Sequence, residues 1–411
     1  MIQGKDDYMK KEIKILAILC VGLLLVTGCG KKSNSATSAG STATQSDSTG
    51  NISIGGALSI ENIFTSRDLK QTVDTSDATT YTVSSGKDIT ITEEGVYVIT
   101  GNAENVTIVV EVDSEEKVQL VLDGLTVKNS SAPCIYVKNA DKVFLTTVND
   151  NNLSVTDTFT ADGDVNTDAV IFSKDDLVLN GTGSLTISST DNGITSKDDL
   201  KITGGNITIS CTSDALEANN GVAIYDGNII INTKKDGIHA EYDEDNSKGY
   251  VYITGGTLNI TATDDAIHAT TVLQIDGGTI TTNSAEGLEA TYIQINDGTM
   301  TITASDDGMN AAQQSSSYTA TIEINGGSIT ISMGQGDTDG IDSNGNLYIK
   351  GGTINITAQS PFDYDGECEY TGGTLIVNGE ETTTITNQQM GGEPGGNQGG
   401  MQGNQGGHGR R

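Results

Sequence analysis

The sequence predicts an all-β fold, a single-stranded parallel β-helix in which one chain winds as a solenoid with coils of about 22 residues. Three observations carry this. A glycine turn recurs at Gly183, Gly205, Gly227, Gly256, Gly278, Gly298, Gly327, Gly352 and Gly373. After each turn the same apolar alternation returns two and four residues on, as in Leu185/Ile187, Ile207/Ile209, Ile229/Ile231 and Leu258/Ile260. The composition, 51 Gly against 3 Pro and no Trp, suits strands joined by tight turns. A second strand column precedes each turn (Leu200/Ile202, Val222/Ile224, Val251/Ile253), and a third lies between (Ile194, Leu216, Ile238, Ile267). No single coil can bury its apolar face, whereas stacked coils bury a continuous one.

Residues 1–28 read as a secretory signal. Lys10, Lys11 and Lys14 precede the apolar run from Ile15 to Val26, and small residues follow. Val26-Thr27-Gly28-Cys29 resembles the bacterial lipobox, which implies cleavage after Gly28 and a diacylglyceryl group on Cys29. Residues 29–50 form a Ser/Thr-rich tether, 51–388 the β-helix, and 389–411 a Gly/Gln-rich tail without apolar period. Residues 66–74 fit a short amphipathic helix capping the open strand edge. Residues 81–180 continue the strand pattern less regularly. Cys134 and Cys211 read as buried free thiols, because an odd set of three remaining cysteines makes no disulfide framework.

Just before the third strand each coil carries an acidic turn, including Asp214, Asp236, Asp264, Asp265, Glu286, Asp306 and Asp307. In-register stacking sets these carboxylates about 5 Å apart, so they repel unless a cation or lysine lies between them. Clustered oxygens suit calcium, while the alternative is a plain turn dipeptide facing water. A second acidic corner comes from Ser173-Lys174-Asp175-Asp176-Leu177 and its repeat Ser196-Lys197-Asp198-Asp199-Leu200. Either Lys174 and Lys197 neutralise Asp175, Asp176, Asp198 and Asp199, or calcium does. The outward residue of the third strand reads Thr195, Glu217, His239, His268, Glu289, Asn310, Asp342 down the stack. This column is either a sugar-binding strip, a transition-metal site or a solvent-facing ladder. Insertions at 241–249 and 312–318 extend the same corner three coils, about 14 Å, apart. They frame a groove over His268 and Glu289 that Tyr242, Tyr250 and Tyr318 flank.

The Gly-Gly-Thr-Ile-x-Ile and Asp-Asp-Gly/Ala repeats, the paired Ser-Lys-Asp-Asp-Leu segments and Phe64-Thr65-Ser66-Arg67-Asp68-Leu69 resemble the clostridial carbohydrate-binding β-helix family, related in fold to pectate lyases. The resemblance implies a right-handed helix, bound calcium, and affinity for cellulose or an acidic polysaccharide such as polygalacturonate. With a net charge of -33, direct binding of nucleic acid or an anionic membrane surface is opposed by repulsion. The expectation is a monomeric, lipid-anchored, cell-surface protein outside the cytoplasmic membrane, touching membrane through its lipid alone. It binds polysaccharide with calcium and without catalysis. A calcium-dependent lyase is the alternative, with Lys234 or Lys235, or else Lys174 or Lys197, as base. A structural adhesin or spacer is the third reading.

Overall fold

The computed structural model describes residues 58–388 apart from residues 243, 336 and 337. The predicted signal, Cys29, the tether and the tail lie outside these described residues. Strands stack in three parallel columns. In the first, Leu177, Leu200, Val222, Val251, Leu273, Ile293, Ile322 and Leu347 face one another coil after coil. In the second, Leu185, Ile207, Ile229, Leu258, Ile280, Met300, Ile329, Ile354 and Leu375 do the same. In the third the series is Ile171, Ile194, Leu216, Ile238, Ile267, Leu288, Met309, Ile341 and Phe362. All these side chains are buried in one continuous core. The parallel β-helix is therefore the fold, with the predicted registers. Cys134 and Cys211 are buried free thiols, also as expected.

The recurrent turn glycines are needed where the turns stack. All of them except Gly183 have positive φ, where a side chain is strained. At Gly256 a Cβ would also lie 2.7 Å from the Gly227 carbonyl of the preceding coil. At the C-terminal end Glu380–Thr382 turns back antiparallel onto Thr374–Val377 and pairs its otherwise open edge.

The predicted cap at 66–74 is corrected in both shape and place. The helix is one turn, Ile60–Ile63, and 66–69 form a turn instead. The segment does not close an end. It runs along the outer face of the first column as a strap. The Leu58 carbonyl accepts from Gln274, that of Ile63 from Lys201, and that of Asp68 from Thr203. Gln71 donates to the Thr203 carbonyl and accepts from the Gly181 N–H. Phe64 packs edge-on to Tyr225 and beside Tyr252, and Arg67 lies 4.1 Å over Phe144. The physical reason is that the first column presents buried-capable groups such as Ala223, Tyr252, Lys201 and Gln274 on its outer face, and these need a cover.

Candidate functional site

The acidic turns form a ladder set into the wall. The Asp214 N–H donates to Asn192 Oδ1, the Asp236 N–H to Asp214 Oδ1, and the Asp265 N–H to Asp236 Oδ1, at 2.9, 3.1 and 3.0 Å. Asp339 and Asp307 repeat the bond at 3.1 Å. Each carboxylate thus satisfies a backbone donor of the next coil, a job that Asp or Asn can do and Ala cannot. This corrects the water-facing alternative: Asn192, Asp214, Asp236 and Asp265 are buried. Asp264 and Asp306, one residue earlier, are exposed and stand outside the ladder.

The outward column beside it is in register through Thr195, Glu217, His239, His268, Glu289, Asn310 and Asp342. It is only partly solvent-facing: Thr195 is buried, and its residues from Glu217 to Asp342 are half-buried among neighbouring side chains. His239 Nδ1 lies 3.2 Å from Asp214 Oδ2 and 3.7 Å from Asp236 Oδ2, and its Nε2 lies 3.2 Å from Glu241. Burial alone would lower the His239 pKa, but Asp214, Glu241 and Asp236 outweigh it and raise it to about 10. His239 is therefore an imidazolium at neutral pH. Burial pushes the Asp214 carboxyl up, but His239 and Lys235, whose Nζ is 2.8 Å away, hold it below its ordinary value. Asp265 lacks such relief. Burial, then the adjacent Glu289, push it up to about 10. Glu286 rises to about 7 by burial and Glu289, although Asn310 donates to it at 3.0 Å.

The expected groove over His268 and Glu289 is corrected. The two insertions meet: Ser315 donates to the Asn246 carbonyl, and Asn246 to Ser316. Gln314 descends from the second loop onto both residues, bonding His268 Nε2 at 2.9 Å and Glu289 Oε1 at 2.6 Å. Thr291 Oγ1 pins that loop by accepting from the N–H groups of Gln314 and Ser315. An open cavity of about 290 Å³ lies instead on the other side of the first loop. It is lined by Lys197, Glu217, Asn219, His239, Glu241, Tyr242 and Glu244. Lys197 Nζ is 3.1 Å from Glu217 Oε1, while Asn192 and Thr195 donate to Glu217 Oε2. Of the three tyrosines only Tyr242 is on this cavity. Tyr250 turns the other way, its ring over Gly221 and its hydroxyl 3.3 Å from Asp199. Tyr318 is half-buried in the second loop, where its carbonyl accepts from Gln313.

The Ser-Lys-Asp-Asp-Leu corner is neutralised by other lysines than those expected. Asp176 pairs with Lys142 at 3.2 Å and Asp199 with Lys201 at 3.5 Å. Asp175 accepts from the Ala140 N–H. Lys174 points to solvent and Lys197 is taken by Glu217. Asp198, pushed up to about 6 by burial and then by Asp176 and Asp199, is the residual strain of this corner. Among the described residues, groups of three potential ligands within 4.8 Å of one another are Asp236–His239–His268, Asp265–His268–Glu289 and Asp236–Asp264–Asp265. None includes Asp175, Asp176, Asp198, Asp199, Asp214, Glu286, Asp306 or Asp307. Sequence reasoning missed Glu244 and Gln314, since inserted loops repeat nowhere, and Asn219, although it occupies the coil position of Lys197. It placed Lys197 at the wrong partner.

A family model described as carbohydrate-binding domain-containing protein matches residues 85–338 and 282–390. A protein of the same description from Acetivibrio thermocellus is 44% identical over 201 residues, covering 48% of this chain and 70% of its own length. A solved structure of a polysaccharide lyase-like protein from C. thermocellum, a gadolinium derivative, aligns at 35% identity with a TM-score of 0.47, covering 50% of this chain and 90% of that one.

Proposed function

Because this chain belongs to the family of carbohydrate-binding domain-containing proteins, we propose that it binds a polysaccharide, without cleaving it, in the cavity between Lys197 and Tyr242. The observation that carries this reading is the make-up of that cavity, an aromatic ring beside convergent charged donors and acceptors. Sugar recognition asks for that combination. A ring face packs on Tyr242, hydroxyls donate to Glu217, Glu241 and Glu244, and Lys197 and Asn219 donate back. A uronate carboxylate beside Lys197 fits an acidic polysaccharide such as polygalacturonate, and cellulose hydroxyls fit the remaining groups.

Calcium assistance belongs to the same proposal. Asp236, Asp264 and Asp265 offer an all-oxygen set, and Asp265 is buried among Glu289, Asp236 and Glu286, whose combined negative potential a cation would relieve. Calcium supplies charge neutralisation and a bridge to uronate carboxylates across a chain of net charge -33. Anchoring of the protein outside the cytoplasmic membrane through Cys29 is likewise proposed. Cys29→Ser should release the protein from the membrane fraction or leave an unprocessed precursor, and unchanged membrane association with no unprocessed precursor would sink the anchor.

The test of binding is pull-down and calorimetry on polygalacturonate and cellulose. Lys197→Ala with Tyr242→Ala should weaken binding at least tenfold while the unfolding midpoint stays put. Binding indifferent to both substitutions and to chelator would remove the cavity and calcium from the reading, and no binding to either polysaccharide would transfer it to a surface spacer. One observation favours a lyase as second reading: Lys197, though paired with Glu217, lines the cavity itself, whereas Lys234 and Lys235 do not. Steady formation of unsaturated product from polygalacturonate, abolished by Lys197→Ala, would establish it.

A further inference from the structure

Behind the sugar cavity, and independent of it, His268 is held in one orientation by its neighbours. Gln314 Nε2 faces the Glu289 carboxylate at 2.6 Å, an acceptor, so its amide oxygen is the group turned to His268 Nε2 at 2.9 Å. Nε2 is therefore the protonated nitrogen, and in the neutral ring Nδ1 carries a lone pair. That lone pair points at two carboxylates, with Asp265 Oδ2 at 3.4 Å and Glu289 Oε2 at 3.7 Å. With no proton among them, three acceptors converge on one point and repel, so the cluster calls for a proton or a metal cation. The two edges from Nδ1, 3.4 and 3.7 Å, lie a few tenths of an ångström beyond those of a zinc tetrahedron, whose bonds of about 2.0–2.1 Å put neighbouring ligands roughly 3.3 Å apart.

We propose that His268 Nδ1, Asp265 and Glu289 form a binding site for a divalent transition-metal ion of the zinc class, with Gln314 as the outer residue that fixes the imidazole. Nitrogen in the set separates it from calcium, which takes oxygen. Gln314 plays the part that a carboxylate or carbonyl plays behind most metal-bound histidines. The neighbouring His239, whose ring stacks 4.9 Å from that of His268, is outside this set, because its Nδ1 is hydrogen-bonded to Asp214 and its Nε2 faces Glu241. The competing occupant is a proton, carried on His268 Nδ1 between the two carboxylates or shared by the carboxylates themselves.

The experiment uses the untagged protein stripped with EDTA, dialysed, and titrated with cobalt(II), whose visible absorption reports a four-coordinate nitrogen–oxygen site. The expected result is a band saturating at about one ion per chain and displaced by zinc. His268→Gln and Glu289→Gln, each verified as folded by circular dichroism, should abolish it. Gln314→Ala should weaken binding about 10–100-fold. Asp264→Asn should leave it unchanged, since that residue belongs only to the proposed calcium set; failure of calcium binding with the cobalt band intact sinks the calcium reading alone. No band in the wild type, or a band retained in either ligand variant, overturns the site and leaves the proton.

Discussion

Asp214 shows how one side chain serves backbone and site together. Its Oδ1 accepts the Asp236 N–H, and its Oδ2 holds Lys235 and the imidazolium of His239. Asp214→Ala removes all three, leaves a buried N–H without its acceptor and strips Nδ1 of the half-buried His239 of its nearest carboxylate. The expected loss is about 3–5 kcal/mol, the usual cost of breaking a buried pair. Asp214→Asn keeps the backbone bond, as Asn192 already does one coil earlier, and should cost only about 1–2 kcal/mol. Urea unfolding of both variants decides, and equal losses would mean that the charge contributes everything and the ladder nothing. That Asp or Asn recurs at this position was visible in the sequence. Its reason was not, because a turn dipeptide and a carboxylate-to-backbone ladder leave the same letters.

At the scale of elements, strands and loops differ in how far sequence reaches. Ile207, Ile229 and Leu258 are in register because parallel stacking makes every coil repeat the same inward position, so period and partner are the same information. The insertion 312–318 has no such constraint. Its path is set by Thr291, Asn246, His268 and Glu289, each unique in its coil, and the open groove expected there is filled by Gln314. The strap was legible as a distinct segment but not as a flank cover, since its partners Thr203, Lys201 and Gln274 lie well over a hundred residues away. Phe64 anchors it between Tyr225 and Tyr252. Phe64→Ala should cost about 3 kcal/mol. Limited proteolysis should then cut within 58–74 before the coils unfold. Cleavage unchanged from wild type would show that the polar contacts suffice to hold the strap.

Across the whole molecule, stacking acidic coils has a cost that pH can read. Burial comes first, followed by neighbouring carboxylates, in pushing Asp168, Asp198 and Asp307 up to about 6 and Asp342 to about 7. In the unfolded chain such groups titrate near 3.9. Between these values the folded state binds more protons than the unfolded one, so the slope of unfolding free energy with pH is negative. The stabilisation is fully present below about pH 4 and is lost as pH rises through about 6 to 7. Most proteins rich in salt-bridged carboxylates show the opposite trend in this range. The expected outcome in EDTA is therefore a higher thermal midpoint at pH 5 than at pH 7.5. Millimolar calcium should narrow the gap by raising the pH 7.5 value, because a bound cation replaces the missing protons. A midpoint that rises from pH 5 to 7.5 in EDTA would mean that these carboxylates are relieved by paired cations or water, and that the stacked acids carry no strain for a metal to remove.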